Sequence, residues 1–136
     1  MSCVLVIDDD DLVREFMQTV LALEGHEVVL ARDGRKGMCQ LASHRFDLVF
    51  CDVFMPDQDG FATLRELREM RPGLPVVMMT GGPMMTQTGA PDIDILRMAL
   101  GLGATQTLEK PFDGEAMLGL LRRCLEPPAT PANRMI

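Results

Sequence analysis

The chain has no tryptophan and no tyrosine, and its aromatic content is 4%, all of it phenylalanine. Intrinsic indole fluorescence is therefore closed as a reporter of this protein. Its four cysteines include no Cys-x-x-Cys pair, which removes the common zinc and dithiol redox motifs. No Gly-x-Gly-x-x-Gly follows the first apolar run, so the dinucleotide fingerprint is missing too. No apolar stretch approaches membrane-spanning length, and the short run at residues 3–7 leads into four aspartates, unlike a signal peptide. We expect a cytoplasmic protein. Cations are also scarce: 13 Lys and Arg against 20 Asp and Glu give a net charge of −7. Such a domain repels phosphate backbones and anionic lipid, so neither direct nucleic-acid binding nor membrane binding is expected.

What remains is the composition of a packed soluble domain. The 136 residues are 47% hydrophobic and 24% charged, enough to bury a core without a disulfide or metal staple. Cys3, Cys51 and Cys124 sit among apolar neighbours and read as buried, reduced thiols. Beyond the alternation described next there is no internal repeat.

Short apolar runs alternate with helical patterns. Residues 3–7 form a continuous apolar run closed by acids, the pattern of a strand buried on both faces. A helix follows over 11–24, with Leu12, Phe16, Val20 and Leu23 at helical spacing and Gly25 as its stop. Strand two is expected at 27–31, and Asp33-Gly34 turns into a helix through about Ser43. Strand three is expected at 47–51, then a loop over 52–60. The helix at 61–70 carries Leu64, Leu67 and Met70 on one face and Arg65, Glu66, Arg68 and Glu69 on the other. Strand four is expected at 75–80, a loop at 81–91, and a helix from an Asp92 cap to about 102. Strand five at 105–109 and a helix at 112–125 complete the domain, which spans 1–125 and leaves 126–136 as a flexible tail. Five strand–helix units in this order imply one α/β domain: an open, doubly wound parallel sheet with helices on both faces.

In such a sheet the functional crevice lies beyond the carboxyl ends of the strands. Strand one ends at Asp8-Asp9-Asp10-Asp11, strand three at Asp52, strand four at Thr80 and strand five at Lys110-Pro111, whereas Arg32-Asp33-Gly34 after strand two reads as a turn. Asp8, Asp9 and Asp52 against one lysine leave a net negative pocket. Crowded carboxylates either take up protons or recruit a cation, and hard oxygen ligands suit Mg²⁺, with Mn²⁺ as the substitute. A carboxylate can also act as a nucleophile and form an aspartyl phosphate, with Lys110 and the Thr80 hydroxyl placed to hold phosphoryl oxygens. Asp10 and Asp11 suit the start of the first helix, and Asp57 and Asp59 the loop turn and the next helix cap. His26 and His44 are expected to face solvent. Met78 and Met79 read as core, Met84 and Met85 as loop residues.

In these motifs the sequence resembles the receiver domain of two-component response regulators, from Val4 to about Leu125. Val6-Ile7-Asp8-Asp9 with Arg14 resembles that family's first-strand acidic motif, and Asp52-Val-Phe-Met-Pro-Asp-Gln-Asp-Gly60 its phosphorylation loop. Thr80-Gly81 resembles its switch threonine and small neighbour, and Lys110-Pro111-Phe112 its fifth-strand motif. The resemblance implies a flavodoxin-like fold, five strands in the order 2-1-3-4-5 flanked by five helices. It implies that Asp52 accepts a phosphoryl group from a histidine kinase or histidine phosphotransfer protein. Mg²⁺ would be organised by Asp8, Asp9, Asp52 and the backbone carbonyl of Phe54. Thr80 and Lys110 would contact the phosphoryl group, and the Lys110–Pro111 peptide would be cis. The chain would be no turnover enzyme, catalysing only its own phosphorylation and dephosphorylation. It would signal through a downstream protein target, with phosphorylation-dependent dimerisation as a further implication.

Two places depart from the family pattern. Thr107 stands where an aromatic residue three positions before the lysine is usual, and the segment 81–91 is longer than usual. Those departures support the alternative of a phosphorylation-independent protein-binding scaffold. A turnover phosphatase is excluded because Phe54, not a second acid, stands two residues after Asp52. Phe54 and Gly82 at the pocket mouth offer no polar group to orient water, which implies a long-lived phosphoryl group. No DNA-binding or catalytic output domain is read after residue 125, so the expectation is a stand-alone regulator or a domain excised from a longer protein, the first slightly favoured.

Overall fold

The computed structural model describes residues 2–55, 59–81 and 93–126. Five strands, β1 (Cys3–Ile7), β2 (Glu27–Ala31), β3 (Leu48–Asp52), β4 (Val76–Gly81) and β5 (Gln106–Lys110), alternate with five helices. These are α1 (Asp11–Leu23), α2 (Gly34–Ser43), α3 (Gly60–Met70), α4 (Ile93–Gly101) and α5 (Gly114–Leu125). Every strand pair is parallel and the sheet order is β2-β1-β3-β4-β5. The chain winds out from β1 in both directions, so the order reverses beside β1 and β3 and opens a crevice at their carboxyl ends.

Side chains alternate across the sheet and divide the core in two. Leu5, Ile7, Val49, Cys51, Val76 and Met78 face Leu41 of α2, Leu64 and Leu67 of α3 and Ala99 of α4. Val4, Val6, Leu48, Phe50, Val77 and Met79 face Met17 and Leu21 of α1 and Met117, Leu118, Leu120 and Leu121 of α5. The central strands are covered on both sides, which is why they read as unbroken apolar runs. Aspartates cap four helices: Asp10, Asp33, Asp59 and Asp113 each accept backbone N–H bonds at a first turn.

Several boundaries and faces differ from the sequence expectation. β3, β4 and β5 each lie one residue further along the chain, because Asp52, Gly81 and Lys110 still pair in the ladder. α5 begins at Gly114, after the Asp113 cap, so Phe112 precedes it. In α1 the buried residues are Met17 and Leu21, with Val13 and Val20 packed beside them. Leu12, Phe16 and Leu23 stand exposed on the opposite face. Met70 is likewise exposed, whereas Arg68, expected in solvent, folds back onto the chain: Nε donates to Gly103 O at 2.7 Å and a terminal nitrogen to Leu74 O at 2.6 Å. His44 is exposed, but His26 is half-buried and its Nδ1 accepts from Ser2 N at 3.3 Å. The expectations for Asp57, for residues 82–92 with Gly82, Met84, Met85 and the Asp92 cap, and for the tail at 127–136 lie outside the described residues.

Candidate functional site

The loops at the carboxyl edge of the sheet bring together chemistry from four strands. Asp8, the first residue past β1, has no exposed surface. Its Oδ2 accepts from Lys110 Nζ at 2.6 Å and its Oδ1 from the N–H of Asp10 at 2.9 Å. Asp52, at the end of β3, is 7% exposed, and its Oδ2 lies 3.4 Å from the same ammonium. Asp9 is exposed at the rim. Oxygens of Asp8, Asp9 and Asp52 all lie within 4.8 Å of one another, the spacing of donors around one hard cation.

Backbone geometry keeps the edge tight. Gly60 N donates to Val53 O at 2.6 Å, folding the start of α3 back on the residue after β3, and a Cβ on Gly60 would collide with the Asp52 carbonyl. Gly81 has φ +122°, and a Cβ there would come within 2.6 Å of Lys110 O, so glycine lets the ends of β4 and β5 approach. The Lys110–Pro111 peptide is cis.

A cavity of about 290 Å³ opens over these groups, lined by Asp9, Asp10, Val13, Asp52, Phe54, Gly81 and Lys110. Phe54 is 46% exposed at its mouth. Thr80 immediately precedes the Gly81 of the wall. It is 4% exposed, and its Oγ1 has no hydrogen-bond partner among the described residues. A buried hydroxyl without a partner is costly and points to a group that the site is built to receive. Thr107, three residues before Lys110, pairs in register with Met78 and is half-buried. His26 and His44 belong to no part of this edge.

Electrostatics follow from the crowding. Burial, then the negative charge of Asp8, pushes the Asp52 carboxyl up to about 7, against the opposing pull of Lys110. Burial by itself would lower the Lys110 ammonium, but its bonds to Asp8 and Asp52 outweigh that and hold it above its ordinary value. An oxygen donor set with surplus negative charge, in a cavity whose wall at Gly81 is one residue along β4 from a buried hydroxyl with no partner among the described residues, fits a divalent cation beside an anion.

Gly60 and Arg14 both stand in the motifs, but their contacts do not follow from them: Gly60 N returns onto Val53 O, and the Arg14 guanidinium donates to the backbone O of Asp8 at 2.7 Å. A basic residue six positions after Asp8, on the first turns of α1, is the only sequence trace of the latter.

The family model "Response regulator receiver domain" matches residues 4–122. This chain is a member of that family. The receiver domain is 37% identical over 122 residues to Response regulator MprA of Mycolicibacterium vanbaalenii, covering 90% of this chain and 49% of MprA. It is 35% identical over 122 residues to the transcriptional regulatory protein ZraR of Escherichia coli, covering 90% of this chain and 26% of ZraR. Among solved structures, chemotaxis protein CheY4 of Vibrio cholerae superposes with a TM-score of 0.82 at 31% identity, over 92% of this chain and 99% of that one. The receiver domain thus spans half or less of these two curated relatives. No described helix is long and apolar enough to cross a membrane.

Proposed function

We propose that this receiver domain is a cytoplasmic phosphorylation switch that takes a phosphoryl group onto Asp52 from a histidine kinase or histidine phosphotransfer protein. The reading is carried by one observation. A near-buried carboxylate and an ammonium shared with Asp8 stand beside a carboxylate cluster, and the neighbouring end of β4 carries Thr80, whose buried hydroxyl has no partner among the described residues. Asp8, Asp9 and Asp52, joined by the backbone carbonyl of Phe54, would hold Mg²⁺ or Mn²⁺, which when bound neutralises the carboxylates and the developing phosphoryl charge.

The chain's own groups do the rest. An Asp52 Oδ attacks phosphorus as the phosphohistidine P–N bond breaks; the imidazole nitrogen keeps the bonding pair and takes a proton from solvent. Lys110, released from part of its contact with Asp52, pairs with a phosphoryl oxygen, and Thr80 Oγ1 donates to another. Asp52 is restored only when water cleaves the acyl phosphate, so the domain modifies itself rather than turning over a substrate. The output is a change in the surface offered to a protein target.

Intact-protein mass with acetyl phosphate and Mg²⁺ tests the reading, with Asp52→Asn as control. One phosphoryl adduct that requires Mg²⁺ and is lost in the variant is expected. An adduct that survives Asp52→Asn would overturn it. So would the lack of any adduct from both acetyl phosphate and a phosphorylated histidine donor, and Thr107 would then favour a phosphorylation-independent scaffold.

A further inference from the structure

Asp8 is fixed at every polar atom it has. Its N–H donates to Ala31 O at 3.0 Å, Oδ1 accepts from Asp10 N at 2.9 Å and Oδ2 from Lys110 Nζ at 2.6 Å. Its carbonyl oxygen accepts from an Arg14 terminal nitrogen at 2.7 Å. That carbonyl belongs to the peptide joining Asp8 to Asp9, so holding it fixes the peptide plane from which Asp9 projects. The Asp9 carboxylate itself is exposed and accepts no hydrogen bond from a described residue. Its direction therefore depends on the backbone beneath it.

Arg14 is well made for this task. Its side chain is only 15% exposed, and its second arm pairs with Asp11, itself 89% exposed, so that the guanidinium is braced from the helix while the first arm reaches the loop. Its planar fork gives two directed donors, which a flexible lysine cannot reproduce.

We propose that Arg14 is a positioning residue that sets the affinity of the acidic cluster for its divalent cation by locking the Asp8–Asp9 peptide. The inference rests on the metal-dependent reading above. Coulomb's law supplies a discriminating sign. Arg14 is a cation near a cation site, so if charge alone mattered, removing it would tighten Mg²⁺ binding. If it positions Asp9, removing it weakens binding, by about tenfold if it resembles other groups that orient metal ligands.

The experiment is calorimetric titration of the full chain with Mg²⁺, and separately with Mn²⁺, for the parent, Arg14→Ala, Arg14→Lys and Asp11→Asn. Each is first checked by circular dichroism in EDTA. Arg14→Ala is expected to raise Kd about tenfold and Arg14→Lys to fall between it and the parent. Asp11→Asn is expected to change Kd by less than about twofold, since the bond to the Asp8 carbonyl remains. At saturating Mg²⁺ the rate of adduct formation from acetyl phosphate should return to within about twofold of the parent, because the Asp52 chemistry is untouched. Unchanged or tighter binding by folded Arg14→Ala overturns the inference, as does a rate that saturating Mg²⁺ fails to restore. Should Arg14→Ala not fold, Arg14→Lys decides, and a parent-like Kd there overturns it. A parent chain that binds neither cation would instead defeat the metal-dependent reading itself, and this inference with it.

Discussion

Lys110 Nζ lies 2.6 Å from Asp8 Oδ2, across 102 residues of chain, and the same ammonium reaches Asp52 at 3.4 Å. A wholly buried carboxylate is thereby paired at the one edge of the sheet where acids crowd. Lys110→Met leaves Asp8 and Asp52 facing each other without a cation. The expected cost is about 3 kcal/mol, the usual penalty for stranding a buried charge. Mg²⁺ should return part of it, because a cation bound among these carboxylates repeats the neutralisation. Urea unfolding with EDTA and with Mg²⁺ checks both; a loss under about 1 kcal/mol that Mg²⁺ does not reduce would contradict the pairing.

The raised Asp52 pKa makes stability depend on pH in a defined direction. In the unfolded chain this carboxyl titrates near its ordinary value of 3.8, in the metal-free fold at about 7. Between those values the folded state binds a proton that the unfolded state does not. Stability from this group is therefore full below about pH 4 and is lost as pH rises through 7. Asp52→Asn removes the titration. Its melting temperature in EDTA should exceed that of the parent by several degrees at pH 8, and the gap should narrow below pH 7 and close towards pH 4. A gap that stays constant with pH would show that Asp52 is not the group responsible.

The two faces of α1 give another prediction and expose where sequence reading failed. Met17 and Leu21 are fully buried, whereas Leu12 is 75% and Leu23 82% exposed. Met17→Ala should cost about 3 kcal/mol as a core truncation, while Leu12→Ser should stay within about 0.5 kcal/mol. Denaturant midpoints of the two variants measure this; comparable losses would mean that the helix is rotated.

The failure has a physical cause. Leu12, Val13, Phe16, Met17, Val20, Leu21 and Leu23 give α1 two apolar stripes, and periodicity cannot rank them. Only the sheet beneath decides. Strand positions were legible because the central strands are buried on both faces and acids or a lysine mark their ends, whereas the sheet order followed only from the resemblance of those motifs to receiver domains. The acid cluster and Lys110 were legible for the same reason: strand ends dictate what shares the crevice. Their ladder ends were placed one residue short, since Asp52 and Lys110 read as loop chemistry yet still pair in the sheet. Arg68 was not legible at all. Its partner Gly103 is 35 residues away, and nothing local distinguishes a folded-back arginine from a solvated one.

Arg68 joins α3, the turn before β4 and the turn before β5 through the carbonyls of Leu74, Pro72 and Gly103. Burial holds its guanidinium below the ordinary arginine value. Arg68→Ala should cost about 2 kcal/mol by leaving carbonyls unsatisfied, and Arg68→Lys should recover less than half, having no fork. Gly103, at φ +106°, would bring a Cβ within 2.9 Å of the Arg68 side chain, so Gly103→Ala should also destabilise, by about 1–2 kcal/mol. Additive losses in the double variant would contradict a shared contact, because neighbours in one network couple.

Phe54 stands half-exposed at the mouth of the cavity that holds Asp52 and Lys110, and it has no side-chain polar atom. Hydrolysis of an aspartyl phosphate needs a water aligned opposite the Asp52 oxygen, and an apolar ring at the entrance neither orients that water nor admits it freely. Phe54→Asn introduces a donor and an acceptor at the same place while reducing bulk. The expected result is dephosphorylation faster by about tenfold or more, within the range a positioned polar group contributes. Phe54→Ala serves as the control: it opens the entrance without orienting anything. Equal acceleration in the two variants would show that access limits the lifetime, whereas acceleration confined to Asn would show that orientation does. The decay of the phosphoryl adduct, followed by intact mass after the donor is removed, separates the outcomes. No acceleration in either variant would mean that the lifetime is set by Lys110 and Thr80 rather than by what guards the entrance.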